Sequence, residues 1–236
     1  MPNDDCSTPI DLPMMIEFAC VLLAKLYTCW IRATRPFFAL GKKVFLQFPC
    51  SLQNSRLIAI GNNVTAHKDV WIHASRHAEQ GDGPVLIIED RCFIGRRSHI
   101  CAKNRIHIER DVLLADSVLI EDHSHAFTDI TRPIRDQGVT EGGRIRIGSG
   151  CWIGHGAAIV CDSGELTLGR NCVVGANSVV SRSAPPYSVL LGNPARIVKR
   201  FDPVKRVWVL GSTLQTEIEA GSGAALHLER LGQAGD

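Results

Sequence analysis

Aliphatic residues recur every six positions through most of this chain, and that period constrains the fold more than any other feature. Ile147, Ile153 and Ile159 are six apart, and after a three-residue slip Leu168, Val174 and Val180 resume the beat. The register extends backwards through Ile60, Ala66 and Ile72, then Ile88, Ile94 and Ile100, then Ile108, Leu114 and Ile120. Four positions after an anchor stand small or aliphatic partners: Val64, Val70, Cys92, Ser98, Val112, Val118, Cys151, Ala157, Cys172 and Ser178. Directly after an anchor come Gly148, Gly154, Gly169 and Gly175. This is neither the 3.6-residue period of an amphipathic helix nor a long period-2 strand. It describes a short strand that buries one side chain, bends sharply and repeats. Each bend needs a backbone that tolerates φ > 0, which Gly, Asn and Asp supply at least steric cost. Three sixes make one coil, and coils stacked at the ~4.8 Å strand spacing form a three-sided solenoid with one continuous aliphatic core.

With 236 residues the chain needs no more than one such core. Net charge +2, with Lys and Arg scattered and only 6% aromatic residues, gives no nucleic-acid footprint. The nine cysteines are an odd number without a CxxC pair. Cys92, Cys151 and Cys172 occupy the small inward position of the repeat, where a thiol acts as a compact hydrophobe. This usage points to a reducing, cytoplasmic compartment, and the acidic start lacks the basic region of a secretory signal.

Three segments follow from the pattern: an N-terminal helical cap over residues 1–56, the solenoid over 57–201, and a C-terminal extension over 202–236. Residues 12–31 form a helix that Asp11 and Pro13 can cap. Its longest uncharged stretch, Phe18 to Ala24, is far short of the ~20 residues needed to span a bilayer. The helix either packs on the first coil or a neighbouring subunit, or lies at the inner face of a membrane with Arg32, Arg35, Lys42 and Lys43 near anionic headgroups. Two loops leave the register, Ala74 to Pro84 and Asp122 to Arg144; the second carries two histidines at its root, which marks it as functional. Arg200 to Val209 adds an edge strand or a short helix. Beyond Gly211 the register is lost, apart from a short helix around Ala225 to Leu231.

The stretches IEDHSHAFTDITRPI, IRIGSGCWIGHGAAI and LGRNCVVGANSVVSRSAPPYSVLLGNPARIVKRF carry a resemblance to the hexapeptide-repeat acyltransferases. Within that family the chain looks most like the O-acetyltransferases of surface polysaccharides and is similar to the maltose and galactoside acetyltransferases. The resemblance implies a mainly β fold, a left-handed parallel β-helix. It implies acetyl-CoA as co-substrate, direct attack by a saccharide hydroxyl, no metal, and a homotrimer with each site between two subunits. His123 then matches the general base, with His125 in reserve and Asp122 or Glu121 as the group that orients the ring. Trp152, Gly154, His155 and Ala176 fall where the family holds the pantetheine and thioester. Ser181 and Arg182 match a Thr-Lys pair, and Arg196 and Lys199 match basic positions beside the nucleotide phosphate. His155 stands where a Ser is common. Asp129, Arg132 and Arg135 in the long loop either bind the acceptor or hold the loop. The residues Asp162 to Glu165 lengthen one step of the repeat from six to nine, close to the expected donor track. The competing readings are an amino-sugar N-acetyltransferase, a zinc hydrolyase of the carbonic anhydrase type with His99, His123 and His125, and a non-catalytic solenoid.

Overall fold

The computed structural model describes residues 12–76 and 81–210. Eighteen short strands wind into a left-handed parallel β-helix of three faces, with six coil strands on each face. The first face runs through Ala39–Leu40, Ile58–Ile60, Leu86–Ile88, Arg105–Ile108, Arg144–Ile147 and Glu165–Leu168. The second runs through Phe45–Leu46, Thr65–Ala66, Phe93–Ile94, Leu113–Leu114, Trp152–Ile153 and Val173–Val174. The third runs through Cys50–Gln53, Val70–Ala74, His99–Ala102, Leu119–Glu121, Ala158–Val160 and Val179–Val180.

Anchors pair with anchors in register, for example Ile108 with Ile88 and Ile147, and Ile120 with Ile100 and Ile159. Every anchor read from the sequence is at most 3% exposed, so the aliphatic column is the core. Stacking like on like lets each branched side chain fill the space above its counterpart without a change of rotamer from coil to coil.

The glycines after the anchors have a different role from the expected one. The left-handed residue of each corner comes three positions after the anchor, at Asn63, Asp69, Arg91, Arg97, Asp111, Ser117, Gly150, Gly156, Asn171 and Asn177. Gly148 and Gly154 do not have positive φ; they mark where one corner lies hard against the next. A Cβ on Gly154 would sit 2.7 Å from the Ala176 nitrogen and from the Val174 carbonyl oxygen. These glycines are therefore set by contact between coils, and the bend itself falls on Asn, Asp, Gly and even Arg.

The solenoid also starts earlier than the expected Leu57. Ala39–Leu40, Phe45–Leu46 and Cys50–Gln53 form a complete first coil, paired in parallel with the second. Its inward residues Leu46 and Leu52 are buried. The cap proper is α1, Leu12–Thr34, which ends as the chain approaches Pro36. α1 lies across the open end of the column. Thr28 receives the Leu46 N–H at 2.9 Å, Tyr27 donates to the Cys50 carbonyl at 2.6 Å, and Arg35 donates to the Leu52 carbonyl at 2.7 Å. At the other end Ser188–Gly192 adds to the second face in parallel, and Ala195–Asp202 and Val207–Leu210 follow antiparallel. The segment around Arg200 to Val209 is thus a strand pair that continues the solenoid past residue 201. Trp208 packs edge-on against Phe201, with ring centroids 5.4 Å apart. The readings for Met1 to Pro9 and for the tail from Gly211 lie outside the described residues. Among the described residues no helix is long and apolar enough to cross a membrane.

Candidate active site

The long loop leaves the third face at Glu121 and returns at Arg144, and its root is the most polar point of the core. Asp122 occupies the inward position after Ile120 and is fully buried. Three donors satisfy its carboxylate. The backbone N–H of Lys103 donates to Oδ1 at 2.8 Å, that of Asn104 to Oδ2 at 2.9 Å, and His123 Nδ1 lies 2.9 Å from Oδ1. A carboxyl group buried at this depth needs hydrogen-bond partners, and each of its oxygens meets at least one donor. With Nδ1 facing the carboxylate, Nε2 of His123 is the nitrogen left to exchange a proton.

Both strands of the loop root are pinned. Gly143 N–H donates to the Asp122 carbonyl at 2.6 Å and Asn104 Nδ2 to the Gly142 carbonyl at 3.0 Å. Ser124 and Thr140 pair across the root, through Thr140 N–H to the Ser124 carbonyl at 2.8 Å and Ser124 N–H to Thr140 Oγ1 at 3.1 Å. Lys103, 6% exposed, reaches under the returning strand and donates to the carbonyls of Thr140 and Val139. The lengthened step at Asp162 to Glu165 sits at the same corner, where Ser124 Oγ donates to Asp162 Oδ2 at 3.4 Å.

Outward on the third face, two coils below, lies His73, its Nδ1 2.8 Å from Gln53 Oε1. Burial and then the charge of His123 hold its pKa below the usual imidazole value. Trp71 stands between His73 and His99, with centroids 6.1 and 5.4 Å away. The sequence reading passed over Lys103, Asn104 and His73. The register could have found them: Ile100 pairs with Ile120, so Lys103 and Asn104 must lie beside Asp122 and His123.

The other expected site residues fall into separate groups. Gly154, His155 and Ala176 stack on the corner between the second and third faces, and the backbone N–H groups of His155 and Ala176 meet no acceptor among the described residues. Ser181 and Arg182 follow the third face, two coils above Asp122 and His123 at the equivalent corner. Trp152 is half exposed on the second face. Arg196 and Lys199 lie on the added strand, facing Leu191 and Val189 across the ladder. Arg182, Arg196 and Lys199 are exposed and form no ion pair among the described residues.

His125 is exposed and its backbone bridges to Val139. Asp129 accepts from Thr131 through both the backbone N–H at 3.0 Å and the hydroxyl at 2.6 Å, and Arg132 donates to the Asp136 carbonyl, so both serve the loop's own shape. Arg135 projects outward with an 88% exposed side chain, 3.5 Å from Asp136. Among the described residues no three His, Cys, Asp or Glu side chains converge as a metal site; His99 packs on Trp71 instead. Burial pushes the Cys50 thiol up to about 12 and the Cys92 and Cys101 thiols up to about 11, so these three are not activated nucleophiles. Cys172, hydrogen-bonded beside Cys151, is instead drawn down to about 7 but lies fully buried in the core.

Comparison with known proteins bears on the family and the fold. The family model for the hexapeptide repeat of succinyl-transferase matches residues 85–115 and 144–182. An Escherichia coli protein named "Putative lipopolysaccharide biosynthesis O-acetyl transferase WbbJ" is 30% identical over 169 residues, spanning 69% of this chain and 82% of that one. A Mycobacterium tuberculosis protein named "Probable acetyltransferase Rv3034c" is 35% identical over 130 residues, 55% of this chain and 42% of its own length. Among solved structures, the fold is shared with AntD, an N-acyltransferase from Bacillus cereus in complex with dTDP and 3-hydroxybutyryl-CoA. That match has a TM-score of 0.58 and 19% identity, and covers 79% of this chain and 92% of that one. The repeat matched over residues 85–115 and 144–182, and a relative matched along most of both chains, lead to one assignment: the chain belongs to the hexapeptide-repeat acyltransferase family and is an acetyltransferase.

Proposed function

We propose that the chain transfers the acetyl group of acetyl-CoA to a saccharide hydroxyl, with His123 as general base and Asp122 as the residue that positions its ring. The observation that carries this reading is the buried Asp122–His123 pair at 2.9 Å, at the root of a loop clamped on both strands. The acceptor oxygen attacks the thioester carbonyl while Nε2 of His123 takes its proton. The C–S bond then breaks, and the imidazolium returns the proton to the departing thiolate. Asp122 stabilises the imidazolium in between, which is general-base catalysis worth typically ~100- to 10,000-fold.

The free N–H groups of His155 and Ala176 are suited to hold the pantetheine arm and the oxyanion, and the unpaired Arg182, Arg196 and Lys199 suit a phosphate-rich donor. The donor corner and the base corner are separated by the width of the third face, so the reading includes a homotrimer whose neighbouring subunit closes the cleft. The loop supports this with Phe127, Ile130 and Ile134, which are 64%, 97% and 55% exposed and await a partner surface.

The test is thiol release from acetyl-CoA against a panel of saccharides, nucleotide sugars and oligosaccharides, with product identification. A hydroxylamine-labile ester on one acceptor class supports the proposal. A stable amide would make the enzyme an amino-sugar N-acetyltransferase, and transfer undiminished in His123→Ala would remove the proposed base.

A further inference from the structure

The base of the solenoid carries a surface that acetyl transfer does not use. α1 turns Ala24, Thr28 and Ile31 onto the open end of the column, where they are buried. At 100° per residue, Ala19, Leu22, Leu23, Leu26, Cys29, Trp30 and Ala33 share an arc of about 120° on the opposite side. All seven are exposed, and the large ones heavily so: Leu22 48%, Leu23 62%, Leu26 59% and Trp30 53%. A helix that simply faced water would put its polar residues there; this one puts none.

Cations edge the apolar arc. Lys25 and Arg32 lie along one side of α1. Arg32 donates to the Gly41 carbonyl at 2.7 Å, which draws the turn with Lys42 and Lys43 alongside. From Leu12 through Ile60 the sequence holds Lys25, Arg32, Arg35, Lys42, Lys43 and Arg56 against a single acid, Glu17. None of these cations is ion-paired among the described residues.

We infer that this face docks on an anionic lipid bilayer, with α1 lying in the plane of the interface, its leucines and Trp30 among the acyl chains and its lysines at the headgroup phosphates. Apolar area and positive charge then act together, which is how in-plane helices bind. A tryptophan at the polar–apolar boundary suits such a site. A second copy meeting this face with its own would bring the two cationic rims together, with no matching acids to offset the repulsion. The inference is independent of the acceptor and of the base.

The test is co-sedimentation of the full chain with phosphatidylcholine vesicles, with and without phosphatidylglycerol, at physiological salt. The variants are Leu22→Gln/Leu26→Gln/Trp30→Gln and Lys25→Glu/Lys42→Glu, all at exposed positions. The expected result is binding to the anionic vesicles alone, at least tenfold weaker in each variant. The assembly mass by light scattering, the melting curve and the transfer to a soluble acceptor stay unchanged. Absence of wild-type binding, binding equal on neutral vesicles, or binding unaffected by either variant overturns the inference. A fall in assembly mass in the apolar variant also overturns it, assigning the face to a subunit contact.

Discussion

Asp122→Asn separates the positioning role from the structural one, because the two roles predict different magnitudes. The carboxylate serves three donors, two at Oδ1 and one at Oδ2. With the amide oxygen in place of Oδ1, the Lys103 N–H and the His123 ring keep their acceptor, and the Asn104 N–H faces an NH2 group. An unsatisfied buried donor costs about 1–3 kcal/mol, so in a protein of this size the melting temperature falls by roughly 2–12 °C. The catalytic effect is distinct. A hydrogen bond to a charged partner is worth about 1.5–3 kcal/mol and a neutral one about 0.5–1.5. The transition state, where the ring is cationic, therefore loses about 1–2 kcal/mol, or roughly 5- to 30-fold in kcat. Removal of the proposed base in His123→Ala should exceed this, at ~100- to 10,000-fold. Thiol-release kinetics at saturating acetyl-CoA measure both, beside a thermal melt. An Asp122→Asn variant that melts early yet keeps its kcat would mean that Asp122 only clamps the loop. Transfer abolished in His125→Ala and retained in His123→Ala would move the base two residues along to the exposed ring.

Other perturbations test the neighbouring contacts. Gly154→Ala places a Cβ 2.7 Å from the Ala176 nitrogen; the crowding costs about 1–3 kcal/mol, and KM for acetyl-CoA rises more than KM for the acceptor. Lys103→Met removes the cationic donor beneath the Val139 and Thr140 carbonyls; a loss of about 1.5–3 kcal/mol from the closed loop speeds tryptic cleavage after Arg132 or Arg135 by roughly 10- to 160-fold, and an unchanged rate would mean the loop is held without it. His73 titrates below the ordinary imidazole value, through burial and then the charge of His123. Because its folded pKa lies under the unfolded one, the unfolded chain takes up the proton first, so this residue's contribution to stability falls as pH drops through about 6.5 and below. Proton NMR of the imidazole should show that depressed midpoint, and should show it rising in His123→Ala; a midpoint indifferent to that substitution would mean the two rings do not interact.

The anchors were legible because a buried position repeated through stacked coils must keep nearly the same side chain each time, and a six-residue beat is what that leaves in a sequence. The first coil obeys the same rule, with Leu40, Leu46 and Leu52 six apart. It falls outside the expected solenoid because Ile60 follows Leu52 by eight positions instead of six, and because Lys42 and Lys43 read as part of the cationic flank of the N-terminal helix. The corner glycines were legible as necessary and misread as to cause. A glycine directly after an anchor, as at Gly148 and Gly154, is visible in the sequence, but a positive φ and a neighbouring backbone leave the same mark. Only the stacking of Gly154 on Ala176 tells the two apart.

The site divides along the same line. Asp122 and His123 are adjacent in the chain, so their pairing is a local matter that one motif can carry. What makes the pair useful is non-local. The amides of Lys103 and Asn104 come from the preceding coil, and the Lys103 ammonium holds the far side of the loop. None of these has a motif of its own; each is placed only by the register that sets Ile100 beside Ile120. In a solenoid that register is itself readable, since every coil position has a counterpart directly above and below. The polar residues that hold a loop should therefore be sought at its coil neighbours before they are sought within it. By that rule Asp129 and Arg132, which bond inside the loop, shape its tip. The same rule directs attention to the coils beneath, where Trp71 packs between His73 and His99 on the third face and the charge of His123 reaches His73.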